Sequence, residues 1–413
     1  MSKGGTGNEP GACGQRRAII HIGTEKTGTR TIQEYLHINR KELLSGGVAY
    51  LGASRSKNNI DLATYCMDSD HVDDRVTRLG LRDPERRRAW RDGYRRRFEQ
   101  ELAALDQGIH TIICSSEHFH SRLRTPGSVS DLRALLQPWC SAVAIIVYLR
   151  RQDQLATSLY STALRVGLSS AQIIPRGDVN DHYYNYEILL SLWAAVFGRG
   201  AIRPRVFERE RLVAGDLLTD FLDACELSHL DPILRRPPNK NESLSALSAE
   251  VVKCFNLQRP PFPDDQVDPL RDMRFRLIAT LETTHPGKPL LPRRADAQRF
   301  YLQFRESNDR VAREWFDGTL FQEDFGAYPV DAMAPSMTVD EVMKDITRML
   351  SELATRSHII PRTPLVDQID ESCPDHEIFR RLAMAFKTVK PELASLLDGR
   401  AHRLRDQAII LSR

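Results

Sequence analysis

A chain of 413 residues that is 41% hydrophobic and 27% charged can bury a full core and has the balance of an ordinary globular protein. That excludes a mostly disordered chain, a collagen-like one and a membrane bundle. Its 58 lysines and arginines stand against 55 acids, a formal net charge of +3, which excludes a global polycation that binds nucleic acid by charge alone.

Residues 1–15 are Gly-rich and polar and are expected to be disordered; they hold no apolar run of the kind a secretory signal needs. Ala18-Ile19-Ile20-His21-Ile22 reads as a buried strand ending in Gly23. After a Gly/Thr loop, Ile32, Tyr35, Leu36 and Leu43 fall on one helical face that stops at Gly46-Gly47. Asp83-Pro84 supplies an N-cap and a proline at the first helical position. Trp90, Tyr94, Phe98, Leu102 and Leu105 then repeat at helical spacing until Gly108. Residues 75–97 hold ten arginines and three acids. They form either a solvated helix face opposite that aromatic stripe or a surface for an anionic acceptor such as a polyanionic glycan.

Ile109 to Cys114 resumes as strand. Ala142 to Leu149 is the longest uninterrupted apolar run, too short to cross a bilayer and β-branched like a central parallel strand. Helical patterns run from Gln152 to near Gly167 and from Tyr183 to Phe197, followed by a strand at Ile202 to Phe207 and a helix at Leu217 to Cys225. This alternation predicts an α/β fold, a parallel sheet flanked by helices. Pro260, Pro261 and Pro263 mark a break, and residues 264–330 read as helical and irregular. The expected organisation is a domain over 16–330 and a helical C-terminal segment over 338–413. Cys13, Cys66, Cys114, Cys140, Cys225, Cys254 and Cys373 form no CxxC pair. They argue against a disulfide framework or zinc site and fit a reducing, cytoplasmic location.

The segment Gly23-Thr24-Glu25-Lys26-Thr27-Gly28-Thr29-Arg30-Thr31-Ile32-Gln33 lies between a strand and a helix. There, main-chain N–H groups and the helix dipole form an anion cradle. Gly23 and Gly28 keep the spacing of the GxxxxGK(S/T) triphosphate loop, but Thr29 and Arg30 stand where its Lys and Ser/Thr belong. The lysine has moved inside the loop, to Lys26. In that motif the Ser/Thr holds Mg²⁺; a guanidinium does not. The loop suits a phosphate-type group without a metal, and the plain alternative is a Gly/Thr turn that binds nothing. Arg150, leaving a strand, and Ser158, eight residues on, can converge on one anion. Their plain alternative is an arginine capping the sheet edge and a serine packed on a helix.

Together, GTEKTGTRTIQ and YLRRQDQLATSLYS resemble the 5′-phosphosulfate loop and the 3′-phosphate segment of sulfotransferases that use 3′-phosphoadenosine 5′-phosphosulfate (PAPS). The likeness is closest to bacterial and carbohydrate-directed members. YNYEILLSLWAAVFG, RVFERERLVAGDLLTDFLDA and NDRVAREWFDGTLF are similar to further segments of the bacterial members, so it spans about residues 16–330. The resemblance implies a P-loop-type α/β fold with PAPS and its product PAP as ligands. The implied activity is in-line, metal-free transfer of the sulfuryl group to an acceptor hydroxyl, at family level a saccharide or glycolipid. It carries Lys26 over as the key loop cation, with Thr27, Gly28, Thr29 and Thr31 lining the donor's 5′ end. Arg30 stands where a small hydroxyl residue is usual. Arg150 and Ser158 become the 3′-phosphate ligands, with Arg151 as an alternative. Arg235, Arg236 and Lys240 are candidates either to close over the donor or to form a solvated loop.

Ile112-Ile113-Cys114-Ser115-Ser116-Glu117-His118-Phe119-His120 turns from apolar to polar at a strand end. In a parallel sheet, Gly23, Glu117 and Arg150 would all emerge at the carboxyl edge, where open α/β sheets bind ligands. Sulfuryl transfer needs a base for the acceptor's proton, and Glu117, His118 and His120 are the candidates, in that order. Asp70, His71, Asp73 and Asp74 cluster without a metal spacing, and no metal is expected. Three other classes compete: a Mg²⁺-dependent P-loop kinase or nucleotide hydrolase, a nucleotide-binding protein without catalysis, and a nucleic-acid-binding protein working through the arginine-rich helix, against which the near-neutral total charge weighs.

Overall fold

Five strands pair into one all-parallel sheet in a computed structural model that describes residues 16–52, 57–170, 172–238, 244–257 and 271–331. In chain order come β1 (Arg16–Gly23), α1 (Thr29–Ile38), α2 (Arg40–Ser45), β2 (Val48–Tyr50), α3 (Ile60–Cys66), α4 (Asp74–Arg78), α5 (Pro84–Ala103) and β3 (Thr111–Ser115). They are followed by α6 (His118–Arg122), α7 (Pro126–Leu136), β4 (Cys140–Leu149), α8 (Gln152–Arg165), α9 (Tyr186–Phe197), β5 (Ile202–Val206) and α10 (Leu217–Ala224). The helices α11 (Ala246–Leu257), α12 (Arg271–Thr284), α13 (Arg294–Leu302) and α14 (Arg305–Trp315) complete the elements. The expected disordered segment 1–15, the expected helical segment 338–413, the proline break at 260–263 and Lys240 lie outside the described residues.

The strand order is β2-β3-β1-β4-β5, so β1 sits centrally with β3 and β4 as its parallel neighbours. The expected parallel sheet flanked by helices is the observed architecture. The run from Ala18 to Ile22 is buried along its length, as a strand covered on both faces requires. Ile19, Ile113 and Ile146 share a core with Ile32, Tyr35, Leu36 and Leu43 and with Phe221 and Leu222 of α10. The expected single helix after the loop is two, α1 and α2. Asn39 divides them: its side-chain amide donates to the carbonyls of Tyr35 and Arg235 (both 2.8 Å), a side-chain competitor for the backbone.

The start of α5 is as expected, with Asp83 accepting from the Arg86 amide (2.8 Å) ahead of Pro84. Tyr94, Phe98 and Leu102 are buried. Its arginine run resolves into three kinds of residue. Arg87 is buried and donates to the carbonyls of Asp68, Ser69 and His71 at 2.6, 2.8 and 2.9 Å. Arg91 pairs with Asp131 (2.6 Å) and Arg95 with Glu99 (2.8 Å). Arg82, Arg86, Arg88, Arg96 and Arg97 are exposed. Most of that face is therefore solvated charge.

The chain forms two compact units. The first takes residues up to Leu155 with Arg176–Lys240 and Arg299–Glu323, and it contains the sheet. The second takes Ala156–Pro175, Asn241–Gln298 and the chain from Asp324. In the second unit α11 packs on α12, and Asn256 joins three segments. It donates to the carbonyls of Leu164 (2.8 Å) and Leu168 (2.6 Å) and accepts from Arg274 (2.6 Å). Among the described residues all the cysteines are free thiols, and no helix is long and apolar enough to cross a membrane.

His21 lies inside β1, fully buried, with Nδ1 2.8 Å from Ser115 Oγ. Burial pushes its pKa from 6.5 down to about 3, and that of His120 likewise to about 3. Because the folded-state values are depressed, the native protein keeps both rings neutral while the unfolded chain protonates below about pH 6.5. Stability is then expected to fall as pH drops from about 6.5 toward about 3, by up to about 1.4 kcal/mol per pH unit per histidine. Urea midpoints should drop across that window, and drop less steeply in His21→Asn. An unchanged slope in that variant contradicts the assignment.

Candidate functional site

Three polar segments leave adjacent strands at the same edge. The register pairs His21 with Ser115 and Gly23 with Val147. The loop after β1, Glu117 after β3 and Arg150 after β4 therefore emerge together at the carboxyl ends, where open parallel sheets hold ligands.

The loop is fastened by its own polar atoms and by β4. The Thr24 amide and hydroxyl both donate to the Tyr148 carbonyl, at 3.1 and 3.0 Å. The hydroxyls of Thr27 and Thr29 turn inward onto the Thr24 carbonyl, at 2.6 and 3.3 Å, and both residues are buried. Arg150 Nη1 donates to the Lys26 carbonyl at 2.7 Å. Lys26 has φ 61°, a left-handed conformation that costs a non-glycine residue about 1–2 kcal/mol and persists only where its surroundings hold it. Gly28 (φ 77°) opens α1, whose N-terminus has no side-chain cap and no acid in its first turn. Its leading amides and dipole are thus not neutralised by a carboxylate of the helix itself. Arg30 and Thr31 are exposed on that first turn.

Glu117 follows β3 and precedes α6. A Cβ on Gly23 would lie 3.2 Å from the Glu117 Cα, so a glycine there lets the two strand ends approach. One carboxylate oxygen of Glu117 accepts from Gln33 Nε2 at 2.9 Å. His118 is half-buried beside Arg122, and burial followed by that guanidinium lowers its pKa to about 4. His120 is fully buried with Nε2 3.2 Å from the Tyr183 carbonyl, the position of a packing histidine. Arg122 itself pairs with Asp73 (2.8 Å), and Asp73 caps α4, so that member of the acidic cluster at 70–74 has structural work. Among the described residues no group of three His, Cys, Asp or Glu side chains could hold a metal ion.

Arg150 also stacks over the Phe207 ring at 5.6 Å, and its carbonyl accepts from the Tyr186 hydroxyl. Arg151 is buried in a bidentate pair with Asp153 (2.8 and 3.0 Å) and donates to the Gln322 carbonyl (2.6 Å). That places the alternative phosphate ligand inside the fold. Ser158 lies half-buried on α8, beyond the boundary between the two units, which falls after Leu155. Arg236 is held by Asp216 (2.7 Å) and Asp231 (2.8 Å).

Sequence reasoning did not single out Gln33, Phe207, Glu25 or Tyr183. Gln33 and Glu25 stand within the loop motif and were legible as polar residues there. Phe207 and Tyr183 reach the site only through the tertiary fold, and no local pattern marks them. Burial raises the pKa of Glu25 above the usual carboxylate range; Glu117 adds to the rise, and Tyr183, Ser121 and Arg122 oppose it.

No family model matches the chain. An uncharacterized protein of Archaeoglobus fulgidus is 26% identical over 264 residues, 62% of this chain and 68% of that protein. Among solved structures, a sulfotransferase from Alicyclobacillus acidocaldarius is similar with a TM-score of 0.35 at 15% identity, covering 64% of this chain and 95% of that one. A likeness at that level carries no functional assignment.

A Cβ on Gly28 would meet Leu217 Cδ2 at 2.2 Å, in a backbone conformation that already disfavours a side chain. Gly28→Ala is expected to lower stability by about 1–3 kcal/mol. Leu217→Ala added to it should restore the steric part but not the backbone part, so the double variant should show less than the summed loss. Strict additivity in urea unfolding would contradict the packing described.

Proposed function

We propose that this protein is a PAPS-dependent sulfotransferase that moves the sulfuryl group to an acceptor hydroxyl, of a saccharide or glycolipid at the level of class. The observation that supports this most is the placement of Lys26. Lys26 stands inside the loop with its own carbonyl tied to Arg150, at the carboxyl edge of the sheet where Glu117 also emerges. The hydroxyl that a metal-dependent loop would offer to Mg²⁺ is missing: Arg30 is exposed in its place, and the Thr29 hydroxyl bonds inward. The residues present fit a phosphosulfate group by chemistry: one loop ammonium, the uncapped amides at the start of α1, and a guanidinium at the next strand end.

In this reading Lys26 and the amides of Thr27 to Thr31 hold the 5′ end of the donor. They stabilise the negative charge that grows on the oxygen between sulfur and the 5′-phosphate as the acceptor oxygen attacks in line. Holding both reactants in line supplies the entropic part of the rate. Arg150 binds the 3′-phosphate; Ser158 is assigned to it on the sequence motif alone. Glu117 takes the acceptor's proton. His118, kept neutral by burial and Arg122, is the next candidate for that role.

Two measurements test this. Calorimetry should find PAP binding that EDTA leaves unchanged and that Arg150→Ala weakens at least about tenfold, the worth of a charge-assisted phosphate contact. ATP binding that depends on Mg²⁺, with no affinity for PAP, would overturn the reading in favour of a kinase or nucleotide hydrolase. With a competent acceptor, Lys26→Ala should lose about 10²–10³ in turnover, or about 3–4 kcal/mol of barrier, with a smaller change in donor binding. Near-native turnover contradicts the role of Lys26.

A further inference from the structure

The residue that holds the Glu117 carboxylate comes from the helix that opens on the anion loop. Gln33 Nε2 donates to Glu117 Oε2 at 2.9 Å and reaches the Ser115 carbonyl at 3.4 Å. Gln33 is 3% exposed, so its amide is a buried polar group whose bonds go to the end of β3 and to the carboxylate that follows it. A carbonyl and a carboxylate both accept, which fixes the amide with its nitrogen toward them. Glu117 stands at the N-terminus of α6 without capping it through its side chain. Among the described residues no hydrogen bond reaches its other oxygen, Oε1.

Gln33 lies on α1 four residues after Thr29, and residues at that spacing share a helix face. The Thr29 hydroxyl bonds back to the Thr24 carbonyl of the loop at 3.3 Å. One face of the first two turns of α1 thus grips the loop at Thr29 and the carboxylate at Gln33. The strand end beside it is fixed as well. The Asn59 amide donates to the Ser115 carbonyl at 3.0 Å, and Asn59 Oδ1 accepts from the Ser115 amide at 2.7 Å. The Ser116 amide donates to the His21 carbonyl of β1 at 3.0 Å.

We infer that Gln33 is a positioning residue: it sets the Glu117 carboxylate against the donor loop and leaves Oε1 to the acceptor hydroxyl. The inference rests on the proposed reading of Glu117 as the base of a PAPS-dependent transfer and adds the residue that aims it. As the acceptor oxygen bonds to sulfur and the bond from sulfur to the 5′-phosphate oxygen breaks, the hydroxyl proton passes to Glu117. A glutamate without a partner spreads over several rotamers, and each productive encounter must then fix one. A bond from the helix that also carries the donor-facing amides fixes the base relative to the leaving group in advance. In this role Gln33 touches neither reactant and acts only through Glu117.

Transfer of labelled sulfate from PAPS to a panel of p-nitrophenyl glycosides, with calorimetry of PAP, tests this on the full chain. Gln33→Met keeps the volume and removes the donor. It should lower turnover on the best glycoside by about 10–10²-fold, the range expected when a reacting group is misplaced, and leave PAP affinity unchanged. Gln33→Glu, of the same shape but with an acceptor facing Glu117, should lower turnover at least as far, and it carries the same comparison if Gln33→Met does not fold. In a Glu117→Ala background the residual turnover should not fall again when Gln33→Met is added, because no carboxylate is left to aim. Additive losses, or a loss in PAP affinity instead of turnover, would overturn the inference while leaving the PAPS reading intact. Wild-type turnover in Glu117→Ala would overturn Glu117 as the base, and the inference with it. Absence of PAP binding, or PAP binding without transfer to any glycoside, would instead overturn the reading as a sulfotransferase on which the inference rests.

Discussion

The guanidinium of Arg150 donates to the carbonyl of Lys26, and much of the site depends on that one bond. It joins the end of β4 to the loop after β1, across neighbouring strands whose register places Gly23 against Val147. It also holds a lysine in a left-handed backbone conformation that a free loop would leave. The Thr24 bonds to Tyr148 and the inward turn of Thr27 and Thr29 fasten the rest of the same curl. A loop held this way does not have to be ordered by its ligand, so binding energy is not consumed in shaping it. In the proposed reaction the same arginine serves the 3′-phosphate, which couples the two ends of the donor through one side chain.

The sheet was legible because its central strands are continuous apolar runs with β-branched residues, and parallel strands covered on both faces must be so. Elements that were missed lack that signal. The strand β2 is three residues long and was indistinct beside Gly46-Gly47. The helix α7 carries a readable start, Thr125-Pro126 with Ser128 completing a capping box, yet it is short and follows a polar stretch. The split between α1 and α2 depends on a side-chain bond from Asn39 to Arg235, nearly two hundred residues away, and nothing local announces it.

The site was legible at its motif residues and not at the residues that set their electrostatics. Lys26, Glu117 and Arg150 come together at one sheet edge because they follow parallel strands, a consequence of topology rather than of any pairwise pattern. Arg151 looked equivalent to Arg150 in the sequence, but Asp153 two residues on draws it into the interior. Glu25 was visible as a letter inside the loop, while its environment is contributed by Ser121 and by Tyr183, which the fold delivers from far along the chain. The arginines of α5 illustrate the same limit: Arg87 and Arg97 read alike in sequence, and one is buried among carbonyls while the other faces water.

The charges at this edge have a common logic. Lysine, guanidinium and uncapped helix amides attract an anion, and the Glu117 carboxylate, held by Gln33, emerges at the same edge. The most direct test of the central claim is a crystal structure of the complex with PAP grown without divalent cation. The account predicts the 5′-phosphate within hydrogen-bond reach of Lys26 Nζ and the amides at the start of α1, with the 3′-phosphate at Arg150. A loop bare of PAP under those conditions, but filled by ATP and Mg²⁺ when these are supplied, would contradict it.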